Sequence, residues 1–326
     1  MDSAIAPVSI IIPNYNRAAL IRRALDSVAR QSMPPAEIIV VDDCSTDDSI
    51  PTIREWARSS PIPLRLIEME RNGGAGAARN AAMAQSQETY CAFLDSDDEY
   101  LPHAVATLLA PLISEPDAAL SFADARICNN GAPTDDLLMS RALPRDHCLR
   151  TPVTDGSAEV FRLKDPLSTL LLSSMIPTAS AMFRRDAARR AGLMPEYRYG
   201  EDWLFWLKLT QQGHFYCQYT VTSLVHRQND NLTGGGHERQ WAGTLLDTYL
   251  QLRNGDVALP LTDDHLRTLD RAIADQTRSW RYHHSKGGLR AYFRALSSEN
   301  AQRTGGLLRH LLNDPKSLLR ALLSVQ

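Results

Sequence analysis

Four short apolar runs punctuate the first hundred positions, and a helical pattern follows each. The runs are Val8-Ser9-Ile10-Ile11-Ile12, Ile38-Ile39-Val40-Val41, Leu64–Glu68 and Tyr90-Cys91-Ala92-Phe93-Leu94. Leu20, Ile21, Ala24, Leu25 and Val28 recur at helical spacing over 17–31. Further helices are expected over 49–59, from near 74, and after Pro102, with a strand at Ala119–Phe122. This alternation predicts parallel strands joined by right-handed crossovers, an α/β fold with a Rossmann-like, mostly parallel sheet flanked by helices. Ligands of such sheets bind outside the carboxyl ends of the strands. Polar clusters stand at three of those ends: Pro13–Asn16, Asp42-Asp43 and Asp95–Asp98.

The remaining chain is organised differently. Residues 123–175 are rich in loop signals. A strand-like stretch at Ser180–Phe183, a helix at 185–191, an aromatic helix from Glu201 and a strand over 215–225 follow. Asn229–Gly236 reads as a polar, Gly-rich loop. From 237 to 326 the pattern is helical, broken at Gly255, Pro260, Gly287-Gly288 and Gly305-Gly306. A first domain over 1–236 and a helical C-terminal region over 237–326 agree with about 150 residues per domain.

Composition excludes several classes of function. Lys+Arg 35 against Asp+Glu 38 leaves a net charge of −3 and no electrostatic reason to expect nucleic acid. The five cysteines form no CxxC, so no zinc site or disulfide framework is indicated. Free thiols in a reducing cytoplasm are expected. The first apolar run has no basic segment before it and is cut by Pro13, so no signal peptide is expected. No run approaches the ~18 apolar residues of a spanning helix. The protein is expected to be cytoplasmic, soluble or peripheral at the inner face of the membrane.

Asp95-Ser96-Asp97-Asp98 carries the sharpest chemistry. Three carboxylates in four residues repel one another unless a cation or solvent relieves them. Mg²⁺ and Mn²⁺ bind through one or two carboxylates plus substrate phosphates; the alternative is a solvated acidic turn. Asp42 and Asp43 can accept from a nucleobase or ribose, whereas Asp47 and Asp48 suit helix capping. Asn72–Asn80 holds Gly74-x-Gly76, but Arg79 stands where a dinucleotide fingerprint needs glycine. Its small residues are expected to let a helix approach a nucleotide, with Arg79 donating to it. The alternative is helix–sheet packing with Arg79 on the surface. Glu201-Asp202 offers a general base, or merely complements a helix dipole. Trp203, Phe205 and Trp206 either stack on a sugar or, more commonly for such residues, fill the core. His226 is a candidate for metal or phosphate, with Arg227 beside it for a diphosphate. His283-His284 receives no role.

In order and spacing, SIIIPNYNR (9–17), VVDDCSTDDS (40–49), RNGGAGAARN (71–80), FLDSDDEYLP (93–102) and YGEDWLFWLKL (199–209) resemble the family-2 glycosyltransferases, inverting enzymes of the GT-A fold. The resemblance spans nearly all of 8–235. It implies that 1–236 binds a nucleotide-sugar and performs catalysis. Pro13 and Tyr15 would line the base and ribose, and Asp43 would accept from the base imide, with Asp42 beside it. Arg79 would donate to the base carbonyl. Asp95, with Ser96, would contact the ribose, and Asp97 would hold Mn²⁺ or Mg²⁺. Asp202 would be the catalytic base, with Glu201 supporting the acceptor side. The family's metal-assisting His has no clear counterpart: its place holds Gln228, and His226 lies two residues earlier.

The implied reaction moves a sugar from a nucleoside diphosphate, uridine favoured, to the hydroxyl of a carbohydrate, lipid-linked or protein acceptor. A nucleotidyltransferase is the competing enzyme class, but it usually has a Gly-rich loop with Arg and Lys after the first strand, which Pro13–Asn16 lacks. An inactive carbohydrate-binding relative is disfavoured because every expected acidic position is present. Leucine pairs at 307–308, 311–312, 318–319 and 322–323, with Arg303, Arg309, Lys316 and Arg320 between them, give the tail an amphipathic pattern. It is expected to pack on the catalytic domain or a second subunit of a homo-oligomer; anionic membrane is the alternative. Asp314-Pro315 should split it into two short helices.

Overall fold

The computed structural model describes residues 5–151, 159–195, 197, 199–227 and 238–324. Gln228 and the expected loop at Asn229–Gly236 lie outside the described residues. The chain divides into two compact units, Met1–Gln228 and Asn229–Gln326.

The first unit is built on a continuous sheet. Strands β1 (Ala6–Asn14) and β2 (Pro35–Asp42) flank helix α1 (Ala18–Ala29) in sequence. Helix α2 (Ser49–Ser59), β3 (Leu64–Glu68), α3 (Gly74–Gln85) and β4 (Tyr90–Phe93) follow. β1 pairs in parallel with both β2 and β4, and β2 with β3, so the sheet runs β3-β2-β1-β4 on this side. The continuous apolar runs exist because these strands are buried on both faces: Ile10, Ile11 and Ile12 are fully buried. α1 turns Ile21, Ala24, Leu25 and Val28 inward, as its spacing requires.

Beyond β4 come β5 (Glu99–Tyr100), α4 (Ala104–Ser114), β6 (Ala118–Asn129), β7 (Ala132–Leu137), α5 (Met139–Ala142), β8 (Cys148–Arg150) and β9 (Phe161–Leu163). Helix α6 (Pro166–Leu172), β10 (Ala181–Arg184), α7 (Arg185–Ala191), α8 (Glu201–Leu209) and β11 (His214–Arg227) complete the unit. β10 inserts antiparallel between β4 and β6, and β11 lies parallel to β6. The sheet is therefore mixed, mostly parallel, and covered by helices. Chain reversal to either side of β1 makes the carboxyl ends of β1 and β4 a switch point, where crevices open in such sheets.

The second unit is helical: α9 (Glu238–Asn254), α10 (Asp263–Ser285), α11 (Gly288–Leu296), α12 (Glu299–Arg303), α13 (Gly306–Asn313) and α14 (Pro315–Leu323). It has its own core, in which Leu246, Trp280, Tyr292 and Leu296 are buried together. Asp314 splits the tail as its sequence implied, accepting from Ser317 N–H at 3.1 Å to cap α14. Leu311 and Leu318 pack on this core, whereas Leu308, Leu312, Leu319 and Leu323 are exposed. Among the described residues, no helix is long and apolar enough to cross a membrane.

Two residues with a Cβ adopt left-handed backbone in the loops that leave β1 and β2: Asn16 at φ 50° and Cys44 at φ 68°. Asn is tolerated there because its amide bonds locally, and Asn16 Oδ1 accepts from Thr46 N–H at 2.7 Å. Cys44 has no such compensation beyond an Sγ contact of 3.0 Å to the Met69 carbonyl. A left-handed residue with a Cβ costs roughly 1–2 kcal/mol, partly offset by the greater unfolded-state entropy of glycine. Cys44→Gly should therefore raise unfolding stability by about 0.5 kcal/mol in urea titration; a loss would show that the thiol contact outweighs the strain.

Candidate active site

The polar clusters meet at one edge of the sheet because β1, β2 and β4 run in the same direction. Asn14 ends β1, Asp42 ends β2, and Asp95 follows β4. The ladder continues to the edge: Asp43 N–H donates to the Asn14 carbonyl at 2.8 Å and Leu94 N–H to the Ile11 carbonyl at 3.0 Å.

The two aspartates after β2 have different partners. Asp42 is buried and accepts from Asn14 Nδ2 at 2.8 Å, Ser45 N–H at 2.8 Å and Ser45 Oγ at 2.7 Å. It binds the β1 and β2 loops to each other. Asp43 accepts from Gly73 and Gly74 N–H, each at 2.7 Å, and so holds the entry to α3. Asp47 accepts from Ala18 N–H at 2.9 Å and Ser49 N–H at 3.0 Å, serving the first residues of α1 and α2 together. Pro13 is buried at the end of β1, paired in register with Val41. Tyr15 is 48% exposed at the site's rim.

Asp95–Asp98 forms a tight turn, with Asp98 N–H donating to the Asp95 carbonyl at 3.0 Å. Ser96 is buried within it. Asp97 lies 3.4 Å from Arg17 Nε, and its backbone carbonyl accepts from Arg23. Burial, then Asp95, push the Asp97 carboxyl above its usual range, and Arg17 opposes them. Burial, with Asp95 and Asp97, pushes Asp98 up strongly, although His226 N–H donates to it at 2.9 Å. The turn carries more negative charge than its neighbours neutralise. Among the described residues, no group of three or more His, Cys, Asp or Glu is gathered to hold a metal. Oxygen donors from one or two carboxylates, completed by phosphate oxygens, are nevertheless what Mg²⁺ or Mn²⁺ accepts, and the carboxylate of Asp97 is of that kind.

His226, a candidate metal ligand, lies against Glu99. Its Nε2 lies 2.8 Å from Glu99 Oε1 in a partly buried pair, and Glu99 also faces Arg23 at 3.3 Å. The imidazole thereby secures β11 to β5. Burial and Arg23 lower its pKa, against the pull of Glu99. The matching place at Gln228 lies outside the described residues.

Arg79 does not lie on the surface, the alternative its motif allowed. It is only 3% exposed, with Nη2 donating to Asp95 at 2.6 Å and Nη1 to Glu201 at 2.8 Å. Its guanidinium carbon lies 5.3 Å from the Phe93 ring centre. It thus spans the acidic turn and the start of α8, rather than lying on the surface. The small residues of α3 serve this approach. A Cβ on Gly76 would come within 2.7 Å of the Pro195 carbonyl oxygen and 3.2 Å of Glu201 Cγ.

At the start of α8, Asp202 accepts from Thr178 Oγ1 at 2.5 Å and from Trp203 N–H at 2.7 Å. Trp203, Phe205 and Trp206 are core residues, and Phe205 and Trp206 pack with Phe93 and Phe183. Sequence reasoning missed Arg17, Arg23, Glu99 and Thr178. Arg17 stood inside a motif, but nothing in the sequence connects Thr178 to Asp202.

A profile of the family described as Glycosyl transferase family 2 matches residues 9–192. The chain belongs to this family and is a glycosyltransferase. It is 29% identical over 206 residues to TuaG of Bacillus subtilis (strain 168), a glycosyltransferase assigned to teichuronic acid biosynthesis, covering 63% of this chain and 73% of TuaG. It is also 38% identical over 93 residues to the poly(ribitol-phosphate) beta-N-acetylglucosaminyltransferase TarS of Staphylococcus aureus, covering 28% of this chain and 16% of TarS. The structure of TarS residues 1–349 with UDP-GlcNAc superposes with a TM-score of 0.60 at 19% identity, over 85% of this chain and 79% of that one. The mannosyltransferase PcManGT from Pyrobaculum calidifontis, with GDP-Man and Mn²⁺, gives 0.57 at 19%, over 98% and 88%. These superpositions establish the shared GT-A fold.

Glu201 makes the site sensitive to pH. Burial, then Asp202, push its carboxyl up to about 7, against the pull of Arg79. The folded protein therefore binds a proton more tightly than the unfolded chain. This contribution to stability is fully present below pH 4.5 and is lost as pH rises through about 7. The loss amounts to about 3 kcal/mol. Urea titrations at pH 5 and 8 should show it, and Glu201→Gln should flatten the profile; an unchanged pH slope in that variant would assign it elsewhere.

Proposed function

We propose that the chain transfers a sugar from a nucleoside diphosphate donor to an acceptor hydroxyl with inversion, Asp202 being the base. The observation that carries this reading is the buried Arg79 bridge. It ties the acidic turn, suited to the donor, to the helix start that bears Asp202. Pro13 and Tyr15 would line the base and ribose, Asp43 would face the base, and Asp95 with Ser96 would meet the ribose. Asp42 keeps the loops beneath them in shape. Uridine is the favoured base, in keeping with the UDP-GlcNAc complex of TarS. Mn²⁺ is the favoured ion, with Mg²⁺ the alternative, in keeping with the PcManGT complex.

Asp97 would hold a divalent cation, which would supply charge neutralisation for the departing diphosphate. Asp202 accepts the proton of the acceptor hydroxyl as its oxygen bonds to the anomeric carbon from the face opposite the leaving group. The bond to the diphosphate breaks in the same step, which inverts the anomeric configuration. Thr178 holds the carboxylate of Asp202 in orientation. Glu201, kept beside it by Arg79, supports the acceptor side. The acceptor is proposed to be a carbohydrate, free or lipid-linked, in polysaccharide synthesis, and the setting is the cytoplasmic side of a membrane.

Two variants test the division of labour. Asp202→Asn should bind a uridine diphosphate sugar normally in calorimetry, yet lose transfer by about 10²–10⁴-fold. Asp97→Ala should lose the Mn²⁺-dependent part of that binding. Near-wild-type transfer by Asp202→Asn would shift the base to Glu201, and unchanged Mn²⁺-dependent binding in Asp97→Ala would remove the ion from that turn.

The exposed leucines of α13 and α14, with Arg309 and Lys316, are proposed as the face that meets anionic lipid when the acceptor is membrane-borne. Flotation of the full chain with anionic liposomes should exceed that of Leu308→Ser/Leu312→Ser/Leu319→Ser. Equal flotation, with a changed oligomeric state in the variant, would make the face a subunit contact instead.

A further inference from the structure

Two arginines pair with carboxylates of the acidic turn after β4, and they are held differently. Arg79 Nη2 lies 2.6 Å from Asp95 and Nη1 2.8 Å from Glu201, and its side chain is 4% exposed. Arg17 Nε lies 3.4 Å from Asp97 Oδ2, and the two side chains are 21% and 18% exposed. The Arg79 guanidinium is locked inside the fold. That of Arg17 makes a longer contact at a partly exposed edge.

The backbone on both sides of this contact is anchored without it. Arg17 N–H donates to Ser49 Oγ at 3.1 Å, and its carbonyl accepts from Leu20 N–H at 2.8 Å and Ile21 N–H at 2.9 Å in the first turn of α1. Asn16 N–H donates to Ser45 Oγ and Ala18 N–H to Asp47, each at 2.9 Å. On the other side, the Asp97 carbonyl accepts from Arg23, which also faces Glu99 at 3.3 Å. Arg23 thus keeps the turn docked on α1 whichever partner Arg17 has. A long side chain with many rotamers on a fixed Cα can change partners while loop and turn stay in place. One carboxylate oxygen cannot hold a guanidinium and a divalent cation in contact together, because the two positive charges repel at that distance. An ion bound by Asp97 therefore displaces Arg17. The neighbouring carboxylates are already engaged, Asp95 by Arg79 and Asp47 by the Ala18 and Ser49 N–H groups. A diphosphate arriving with the cation offers oxygens that a guanidinium fork matches.

We propose that Arg17 is a displaceable counter-ion: it yields the Asp97 carboxylate to a divalent cation and then pairs with the diphosphate of the donor. Arg79 is the fixed cation of the site and Arg17 the movable one. The proposal deepens the sugar-transfer reading and rests on it for the placing of the cation at Asp97 and the choice of a nucleoside diphosphate. Its signature is a pair of opposite effects. Removing the Arg17 charge favours the ion alone and disfavours the nucleotide that comes with the ion, whereas a merely structural Arg17 would weaken both.

Two titrations of the full chain test this. Electron paramagnetic resonance of Mn²⁺ without nucleotide reads the ion alone. Calorimetry with Mn²⁺ present reads uridine or guanosine diphosphate, whichever wild type binds more tightly. Arg17→Gln should bind Mn²⁺ alone about three- to fivefold more tightly than wild type. The same variant should bind the nucleoside diphosphate with Mn²⁺ at least about tenfold more weakly. Arg17→Lys, which keeps the charge, should bind Mn²⁺ alone as wild type does and recover part of the nucleotide affinity. Asp97→Ala, measured alongside, separates the two levels of the argument. If it binds Mn²⁺ as wild type does, or if wild type binds neither nucleotide, the site assignment itself fails and the exchange with it. If Asp97→Ala loses Mn²⁺ while Arg17→Gln binds the ion no more tightly than wild type, or binds the nucleotide equally well, the cation stays at Asp97 and the exchange alone is overturned.

Discussion

The first unit's site depends on one buried cation. Arg79 lies between Asp95 and Glu201, which are 16 and 122 residues away in sequence. Without it, Glu201 would face Asp202 and Asp95 in a desolvated setting with no positive charge. Breaking a buried pair in this way typically costs about 3–5 kcal/mol, chiefly through the charge left behind. The guanidinium reaches its place because α3 carries Gly76 where a Cβ would strike the Pro195 carbonyl. The small residues of that helix and the acidic residues of α8 are two halves of one requirement.

A second network keeps the loops after β1 and β2 together. Asp42, Asn14 and Ser45 bond to one another, and Asn16 reaches across to Thr46. These residues stand at the carboxyl edge of the sheet, and their mutual bonds hold the loop backbone through two left-handed residues. Asp42 gives these loops their shape. Asp97, by contrast, keeps raised proton affinity because burial and Asp95 outweigh Arg17. One aspartate organises the edge, and the other supplies its unbalanced charge.

The helical unit follows a different logic. Its core is assembled from α9, α10, α11 and α14 around Trp280 and Tyr292. Arg281, His310 and Asp314 form a buried polar group that joins α10 to the turn before α14.

Strand and helix positions were legible because burial imposes local periods of 2 and 3.6 residues. β3, α2 and α7 begin and end where their patterns do, and the breaks at Gly255 and Asp314-Pro315 separate helices as expected. The acidic groups at strand ends were equally legible, since parallel strands bring their carboxyl ends to one edge. Residue partners were not. The sequence contains no local signal that Arg79 meets Glu201, that Thr178 meets Asp202, or that His226 meets Glu99 across 127 positions. Likewise, Trp203, Phe205 and Trp206 allow a sugar contact or a core by composition, and packing of Phe205 and Trp206 against Phe93 and Phe183, with the Trp203 indole donating to the Leu170 carbonyl, made them core. Periodicity records which face of an element is dry. Which charge neutralises which depends on how the dry faces stack, and that is settled only when the whole sheet and its helices are assembled.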